Sequence, residues 1–291
     1  MSAQDISRVH AKAMLVSLNI SQWSARKIDK KAARDVQLAN NAESNRGAYY
    51  KSLIEGGALE DIKLLATKAR AEHYRRTLPW SDAGPRVLPN AGFLDYTKAM
   101  QDFGIEFERL VNKFVDEYPL LRQEANRLLG DLFNDSDYPT LQAVAAKFAF
   151  RTTITPLPIG DDFRCDLGSE EVERIRAEIT ASSQAAMADA MRDAFDRVSK
   201  VVDTFIDRLA SPDTTFRDSL VGNAHALAEI LPSLNVTSDP RLTALTNTLT
   251  DKLCAHAPEK LRNDPASRQA AYQAAMAMHT DLNSFFAGEF Q

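Results

Sequence analysis

Residues 100–132 read MQDFGIEFERLVNKFVDEYPLLRQEANRLLGDL, and this stretch decides the fold class. Its apolar residues recur in steps of three and four along one side of a helix: Phe103, Phe107, Leu110, Phe114, Tyr118, Leu121, Ala125, Leu128 and Leu132. The step of four is doubled around Phe114, which is a stutter in a coiled-coil-like pattern. Pro119 lies inside the stretch and is expected to kink the helix. The pattern predicts a long amphipathic helix over residues 93–133.

A second long helix is predicted over residues 169–210. Its apolar stripe has the same spacing, with one polar member: Val172, Ile175, Ile179, Ser183, Met187, Met191, Ala194, Val198, Val201, Phe205 and Leu209. Because both stripes must be buried, we expect the two helices to fold back on each other as an antiparallel hairpin about 60 Å long, at about 1.5 Å per residue. The β-branched and proline-containing segment between them predicts a small β-hairpin at the tip, with residues 163–165 pairing back.

The predicted fold is therefore mainly α: an elongated antiparallel helical hairpin, coiled-coil-like, with a small β-hairpin at the tip and a helical base. Residues 1–89 are interpreted as a basic N-terminal helical region, with helices from residue 24 and over 59–76, that ends in an ordered Pro-rich loop. Residues 90–210 form the hairpin. Residues 211–291 form a small helical bundle, because Pro212, Pro240 and Pro265 each follow a capping Ser or Asp at a favoured first helical position.

The composition is typical of a folded, helix-rich protein. Of the 291 residues, 44% are hydrophobic and 26% are charged, which excludes wholesale disorder. The sequence contains no run of about 18 apolar residues and no signal-peptide pattern, so we expect a cytoplasmic protein without membrane contact. Cys165 and Cys254 lack CxxC spacing and are expected to be plain thiols.

No pattern in the sequence predicts catalysis. The five histidines are scattered without HExxH or zinc-ligand spacing, and no Gly-rich phosphate motif is present. Ser24 and Lys27 match S-x-x-K, but the accompanying motifs of that chemistry are missing. The acidic pairs Asp161-Asp162 and Asp135/Asp137 lie in turns where Asp is favoured for local reasons. We therefore expect no enzyme activity, no metal and no cofactor.

The charge distribution gives the only indication of a ligand. The net charge is −5, but residues 1–86 hold 15 Lys and Arg against 9 Asp and Glu, which leaves −11 on the remainder. The candidate nucleic-acid site is a cationic cluster with an aromatic residue for base stacking, interrupted by Asp29 and Asp35. It consists of Trp23, Arg26, Lys27, Lys30, Lys31 and Arg34, with support from Lys68, Arg70, Arg75 and Arg76.

Three stretches together resemble a known family. They are LNISQWSARKIDKK at residues 18–31, TLPWSD at residues 77–82, and DYP at residues 137–139 with Lys147-Phe148 and Asp162-Phe163-Arg164. Over most of its length the chain resembles a family of tailed-bacteriophage and prophage proteins that has no assigned activity. The resemblance implies a phage gene product that works in the bacterial cytoplasm or is packaged in a virion, and it implies no catalytic residue.

These observations predict a non-catalytic scaffold or interaction protein. The helical hairpin would provide self-association or the contact with a protein partner. The alternative is a nucleic-acid-binding accessory protein of phage DNA metabolism that uses the basic N-terminal region.

Overall fold

The computed structural model describes residues 11–43, 46–81, 84–163, 165, 168–211 and 214–288. It is mainly helical with a small antiparallel sheet, which confirms the predicted class. The chain divides into two compact units made of interleaved segments. Unit 1 contains residues 1–17, 74–96 and 154–291, and unit 2 contains residues 18–73 and 97–153. The sequence, by contrast, suggested three consecutive regions.

Strands and helices alternate along the first half of the chain, and helices fill the second half. The strands are β1 (Ala13–Ser21), β2 (Arg26–Ile28), β3 (Tyr50–Ser52), β4 (Leu78–Pro79), β5 (Arg86–Pro89) and β6 (Ala149–Thr155). The helices are α1 (Lys30–Ala39), α2 (Glu60–Arg76), α3 (Phe93–Leu129), α4 (Leu141–Ala145), α5 (Ser169–Leu209), α6 (Ser219–Leu234), α7 (Pro240–Thr248), α8 (Pro258–Asn263) and α9 (Pro265–Gly288). A π-helical turn, Leu249–Leu253, continues α7.

The strands form one four-stranded sheet and one two-stranded ribbon. The sheet has the order β4-β5-β1-β6, and the ribbon consists of β2 and β3. β5 pairs antiparallel with both β1 and β4. The segment that was predicted as a Pro-rich loop therefore contains two short strands, β4 and β5, in which Pro79 and Pro89 stand at strand ends, where a missing N–H is tolerated.

The core of unit 1 is built around the second half of α5. Its stripe from Met187 to Leu209 is buried with apolar residues of α6, α7 and α9. Two of the predicted helix starts are confirmed: Asp239 accepts a hydrogen bond from the Arg241 N–H at 2.8 Å, and α9 begins at Pro265. The third differs, since α6 begins at Ser219, and residue 212 lies outside the described residues.

The core of unit 2 is built around α3, which continues through Pro119. Aromatic residues of its stripe pack against residues from the N-terminal part of the chain and from the segment after α3. The buried members are Trp23, Ala25, Leu53, Ile54, Leu59, Ile62, Phe107, Leu110, Val111, Phe114, Tyr118, Ala125, Tyr138 and Val144. Because this core collects residues 23–62 and 107–144, it joins segments that are distant in sequence.

The predicted antiparallel hairpin is not confirmed. Both long helices exist, but the middle of the α3 stripe, from Phe107 to Ala125, packs in the core of unit 2, and the second half of the α5 stripe, from Met187 to Leu209, packs in the core of unit 1. The 3.6-residue period shows that a helix has an apolar side but does not specify what covers that side. The predicted tip hairpin is wrong as well: β6 lies beside β1 in the four-stranded sheet, Phe163 is in no strand, and residue 164 lies outside the described residues.

Candidate functional site

The predicted basic cluster begins with a strand instead of a helix. Ala25 has φ = +49°, a conformation that a right-handed helix cannot contain, so the helix predicted from residue 24 does not form there. β2 follows, and α1 begins only at Lys30, where the Asp29 side chain accepts hydrogen bonds from the N–H groups of Lys31 and Ala32 at 3.1 and 3.0 Å. Asp29, which seemed to interrupt the cluster, is the N-cap of α1.

The register of the β2–β3 ribbon sorts its side chains onto two faces. Lys27 pairs with Lys51, and Ile28 pairs with Tyr50, while Arg26 pairs with a serine. Residues directly opposite each other share a face, and neighbours along a strand alternate. The two lysines therefore lie on the inner face, and Arg26, Ile28 and Tyr50 lie on the outer face.

The inner face is occupied by a buried ion-pair network. The Lys51 ammonium is 2.7 Å from Asp137 Oδ2 and 3.0 Å from Asp29 Oδ2, and it donates to the Leu132 carbonyl at 2.8 Å. Lys27 forms an ion pair with the other oxygen of Asp137. Two lysines opposite each other on a ribbon would repel, and the carboxylate between them removes that repulsion. Two ammonium and two carboxylate groups make the network neutral.

The hydrogen bonds of the network keep its groups charged. Burial alone would raise the pKa of Asp137, but hydrogen bonds from Lys27 and Lys51 outweigh it and hold this pKa below its ordinary value. Burial likewise opposes the charge of Lys51, but its hydrogen bonds to the two carboxylates raise its pKa. The N–H of Ala32 and then the Lys51 ammonium lower the pKa of Asp29. The network is therefore fixed in its ionised form at neutral pH.

Asp137 is held in place by the aromatic segment around it. The Tyr138 ring stacks on Phe133 with centroids 4.9 Å apart, and the Tyr118 hydroxyl donates to the Pro139 carbonyl at 3.0 Å. The DYP motif at residues 137–139 thus has a structural role in unit 2. The interpretation of Asp135/Asp137 as structural residues is consistent with these contacts.

Four cations of β2 and α1 are not neutralised. Arg26, Lys30, Lys31 and Arg34 are exposed, and none of them forms an ion pair with a described residue. On α1, Lys30, Lys31 and Arg34 fall within an arc of about 100°. All four cations lie within about 20 Å along the backbone. We name the set Arg26, Ile28, Lys30, Lys31, Arg34 and Tyr50 the basic surface.

Trp23, the predicted stacking residue, does not belong to this surface. Its side chain is buried, with ring centroids 5.8 Å from Tyr118 and 6.2 Å from Phe114. Lys27 is half-exposed, but its ammonium forms an ion pair with Asp137. On the outer face of the ribbon the structure exposes Tyr50, which sequence analysis missed because only the strand register places it opposite Ile28.

The supporting cations are divided between the units. Lys68 and Arg70 are exposed residues of α2 in unit 2, and Arg70 donates to the Ile20 carbonyl at 3.2 Å. Arg75 and Arg76 belong to unit 1, where Arg76 lies 3.7 Å from an Asp95 oxygen. None of the four belongs to the basic surface as the ribbon and α1 define it.

The apolar side of α1 has no partner among the described residues. The helix contains no buried residue, and Val36 on its apolar side is 53% exposed. Ala32, Val36 and Ala39 follow the predicted spacing within the shorter helix, but their side of the helix contains no buried residue, and Ile28, the first member of the predicted stripe, lies in β2. The apolar side of α1 points away from the arc that holds the cations.

Each unit also contains an open pocket. The pocket in unit 2 has a volume of about 460 Å³, and its walls are mostly apolar: Gln101, Gly104, Ile105, Phe107, Glu108, Val111, Phe148, Ala149 and Phe150. One pocket in unit 1 has a volume of about 380 Å³ and is lined by Phe195, Arg241, Ala244, Leu245, Thr248, Asp281, Ser284 and Phe285. Neither lining combines a nucleophile with a histidine or pairs two carboxylates.

Comparison of the chain with models of protein families, with curated proteins and with solved structures found no match. The resemblance to tailed-bacteriophage proteins therefore stays a prediction. Within the described part of the chain, no helix is long and apolar enough to cross a membrane, and no group of three His, Cys, Asp or Glu could hold a metal ion. Cys165 and Cys254 are free thiols.

Proposed function

We propose that the protein is a non-catalytic binding protein that contacts nucleic acid through the basic surface. The observation that supports this proposal is the separation of charges on the β2–β3 ribbon. The inner network neutralises Lys27, Lys51, Asp29 and Asp137 among themselves, so the outer cations remain available to phosphates. In a protein of net charge −5, the acidic remainder would repel a polyanion and direct it toward this surface.

The salt dependence of binding tests the proposal directly. Four phosphate contacts predict a slope of log K against log salt of about −2.8 for a single strand, since each contact contributes about −0.7. Raising the salt from about 50 to about 200 mM should therefore weaken binding about 50-fold. Fluorescence anisotropy with labelled oligonucleotides measures this slope. Absence of oligonucleotide binding at about 20 mM salt would contradict the proposal.

A matched pair of charge-reversal variants locates the site. Lys30→Glu with Arg34→Glu should abolish binding, because two of the four surface cations become anions. Lys63→Glu with Lys147→Glu changes the net charge equally, at exposed lysines of unit 2 that form no ion pair with a described residue. Equal losses in both double variants would mean that overall charge, and not the basic surface, governs binding.

A second candidate function, contact with a protein, is favoured by the uncovered side of α1. An amphipathic helix with no buried residue offers Ala32, Val36 and Ala39 to a partner or to another copy. The scaffold function predicted from the helical hairpin is retained only in this form, because the middle of the α3 stripe and the second half of the α5 stripe are already buried in separate cores. Light scattering after size exclusion tests self-association, which Val36→Glu should abolish; a monomer at all concentrations would contradict it.

We propose, from the resemblance to phage proteins alone, that either function belongs to an infected bacterial cell. Under the nucleic-acid proposal, the protein would be an accessory of phage DNA metabolism in the host cytoplasm. Under the protein-contact proposal, it would be a scaffold component, including one packaged in a virion. Cross-linking in infected cells would distinguish the two, because the molecule attached to the protein would be nucleic acid in the first case and a protein in the second.

A further inference from the structure

We infer that the basic surface binds single-stranded nucleic acid, with the Tyr50 ring stacked on an unpaired base. This inference rests on the proposed function and narrows its ligand. Tyr50 is 62% exposed, and its cross-strand partner Ile28 is 48% exposed, although isoleucine is among the residues most often buried. Together they form an apolar platform on the outer face of the ribbon.

The cations are placed to hold the phosphates of such a strand. Arg26 lies on the same face as Tyr50, diagonally across the ribbon, at a spacing of about 7 to 8 Å. Its guanidinium can reach the phosphate of a nucleotide whose base lies on the ring. Lys30, Lys31 and Arg34 continue the cationic track along α1. A cationic track beside an exposed aromatic ring is the arrangement that binds single strands without base-specific contacts.

A duplex fits this surface less well. The faces of its bases are covered by stacking on one another, so an aromatic ring has no base to cover unless the duplex opens. The Ile28–Tyr50 platform would instead face sugars and phosphates and would displace water from them without compensating contacts.

The backbone that carries the ring is also held in place. Tyr50 precedes Lys51, whose side chain is 4% exposed and is bound to Asp29, Asp137 and the Leu132 carbonyl on the opposite face of the ribbon. β3 therefore cannot shift without breaking these contacts. A strand that is already fixed loses little backbone freedom when a base stacks on its tyrosine.

The experiment compares four labelled 20-mers at matched salt: oligo-dT, oligo-U, an abasic deoxyribose strand and a DNA duplex. The proteins are wild type, Tyr50→Ala, and Tyr50→Phe as the matched control that keeps the ring. Wild type should bind oligo-dT or oligo-U about tenfold more tightly than it binds the duplex or the abasic strand. Tyr50→Ala should weaken oligo-dT binding about tenfold without changing the salt slope, while Tyr50→Phe should bind like wild type.

The outcomes separate the inference from the proposed function. If binding is steeply salt-dependent but Tyr50→Ala binds oligo-dT as tightly as wild type does, the surface contacts phosphates only and the stacking inference is overturned. A duplex that binds as tightly as the single strands also overturns it. Oligo-dT and oligo-U of equal affinity support it, since every base has a face on which tyrosine can stack. If no 20-mer binds at about 20 mM salt, the proposed function itself fails.

Discussion

Replacing Lys51 by methionine should lower the free energy of unfolding of unit 2 by about 4 kcal/mol. The ammonium of Lys51 donates to two carboxylates and one carbonyl and is shielded from solvent. Each charge-assisted hydrogen bond contributes about 1.5 to 3 kcal/mol, and the two carboxylates would keep only Lys27 as a counter-ion. Methionine preserves most of the volume, so the change in packing should stay below about 1.5 kcal/mol.

Urea unfolding followed by the fluorescence of Trp23 measures this loss. The chain has two tryptophans, and a Trp80→Phe background leaves Trp23, in the core of unit 2, as the only reporter. The control is Lys63→Met, an exposed lysine of α2 in the same unit, which should change stability by less than about 0.5 kcal/mol. A loss below about 1 kcal/mol in Lys51→Met would show that the network does not stabilise the ribbon.

The pH dependence gives an independent check on the same network. The pKa of Asp137 is lowered in the folded protein, so its contribution is present above the unfolded value of about 3.9 and is lost as the pH falls through the folded value. The pKa of Lys51 is raised, so its contribution is present below about 10.4 and is lost at higher pH. The stability difference between wild type and Lys51→Met should therefore be constant from about pH 5 to 9 and shrink below about pH 4. A difference that grows at acidic pH would contradict the assignment.

Three further substitutions probe the two cores. Trp23→Ala should destabilise unit 2 by about 4 kcal/mol in urea unfolding followed by circular dichroism, because a buried aromatic anchor is lost, whereas Arg26→Ala should stay within about 0.5. Arg268→Met should destabilise unit 1 by about 3 kcal/mol in thermal unfolding, because a buried guanidinium that donates to carbonyls in the last turn of α5 and just after it is removed; a loss below about 1 kcal/mol would contradict this. Asp239→Ala should reduce stability by about 1 kcal/mol at pH 7 by removing the cap of α7, and the loss should vanish as the pH falls through the lowered pKa of Asp239, which the Arg241 hydrogen bond holds down; a loss that persists at low pH would refute this.

Features that depend on neighbouring residues were predictable from the sequence. The starts of α7 and α9 follow from Asp239-Pro240 and Asp264-Pro265, because capping involves only the next few backbone N–H groups. The exposed cations of residues 26–34 were predictable for a similar reason, since charged side chains remain in water unless a specific partner is present. Ala25 shows the limit of this approach. The sequence predicted a helix through this residue, but its positive φ excludes a right-handed helix there.

The candidate site was only half predictable. Sequence analysis chose Trp23 as the stacking residue and counted Lys27 among the phosphate ligands. The structure buries Trp23 against Phe114 and Tyr118 and joins Lys27 to Asp137, which is 110 positions away. Tyr50 lies on the exposed face of the ribbon because β3 pairs with β2, and no spacing in the sequence encodes that register.

The sequence by itself determined that the chain would be mainly helical, with two long amphipathic helices and a cationic segment near residue 30. Each of these properties is local, since it depends on the order of residues within a few turns. Only the tertiary structure decided that α3 and α5 would bury their stripes in separate cores, and which face of the ribbon would keep its cations. The physical reason is that hydrophobic burial is non-directional: a stripe requires a cover but does not specify which distant segment provides it.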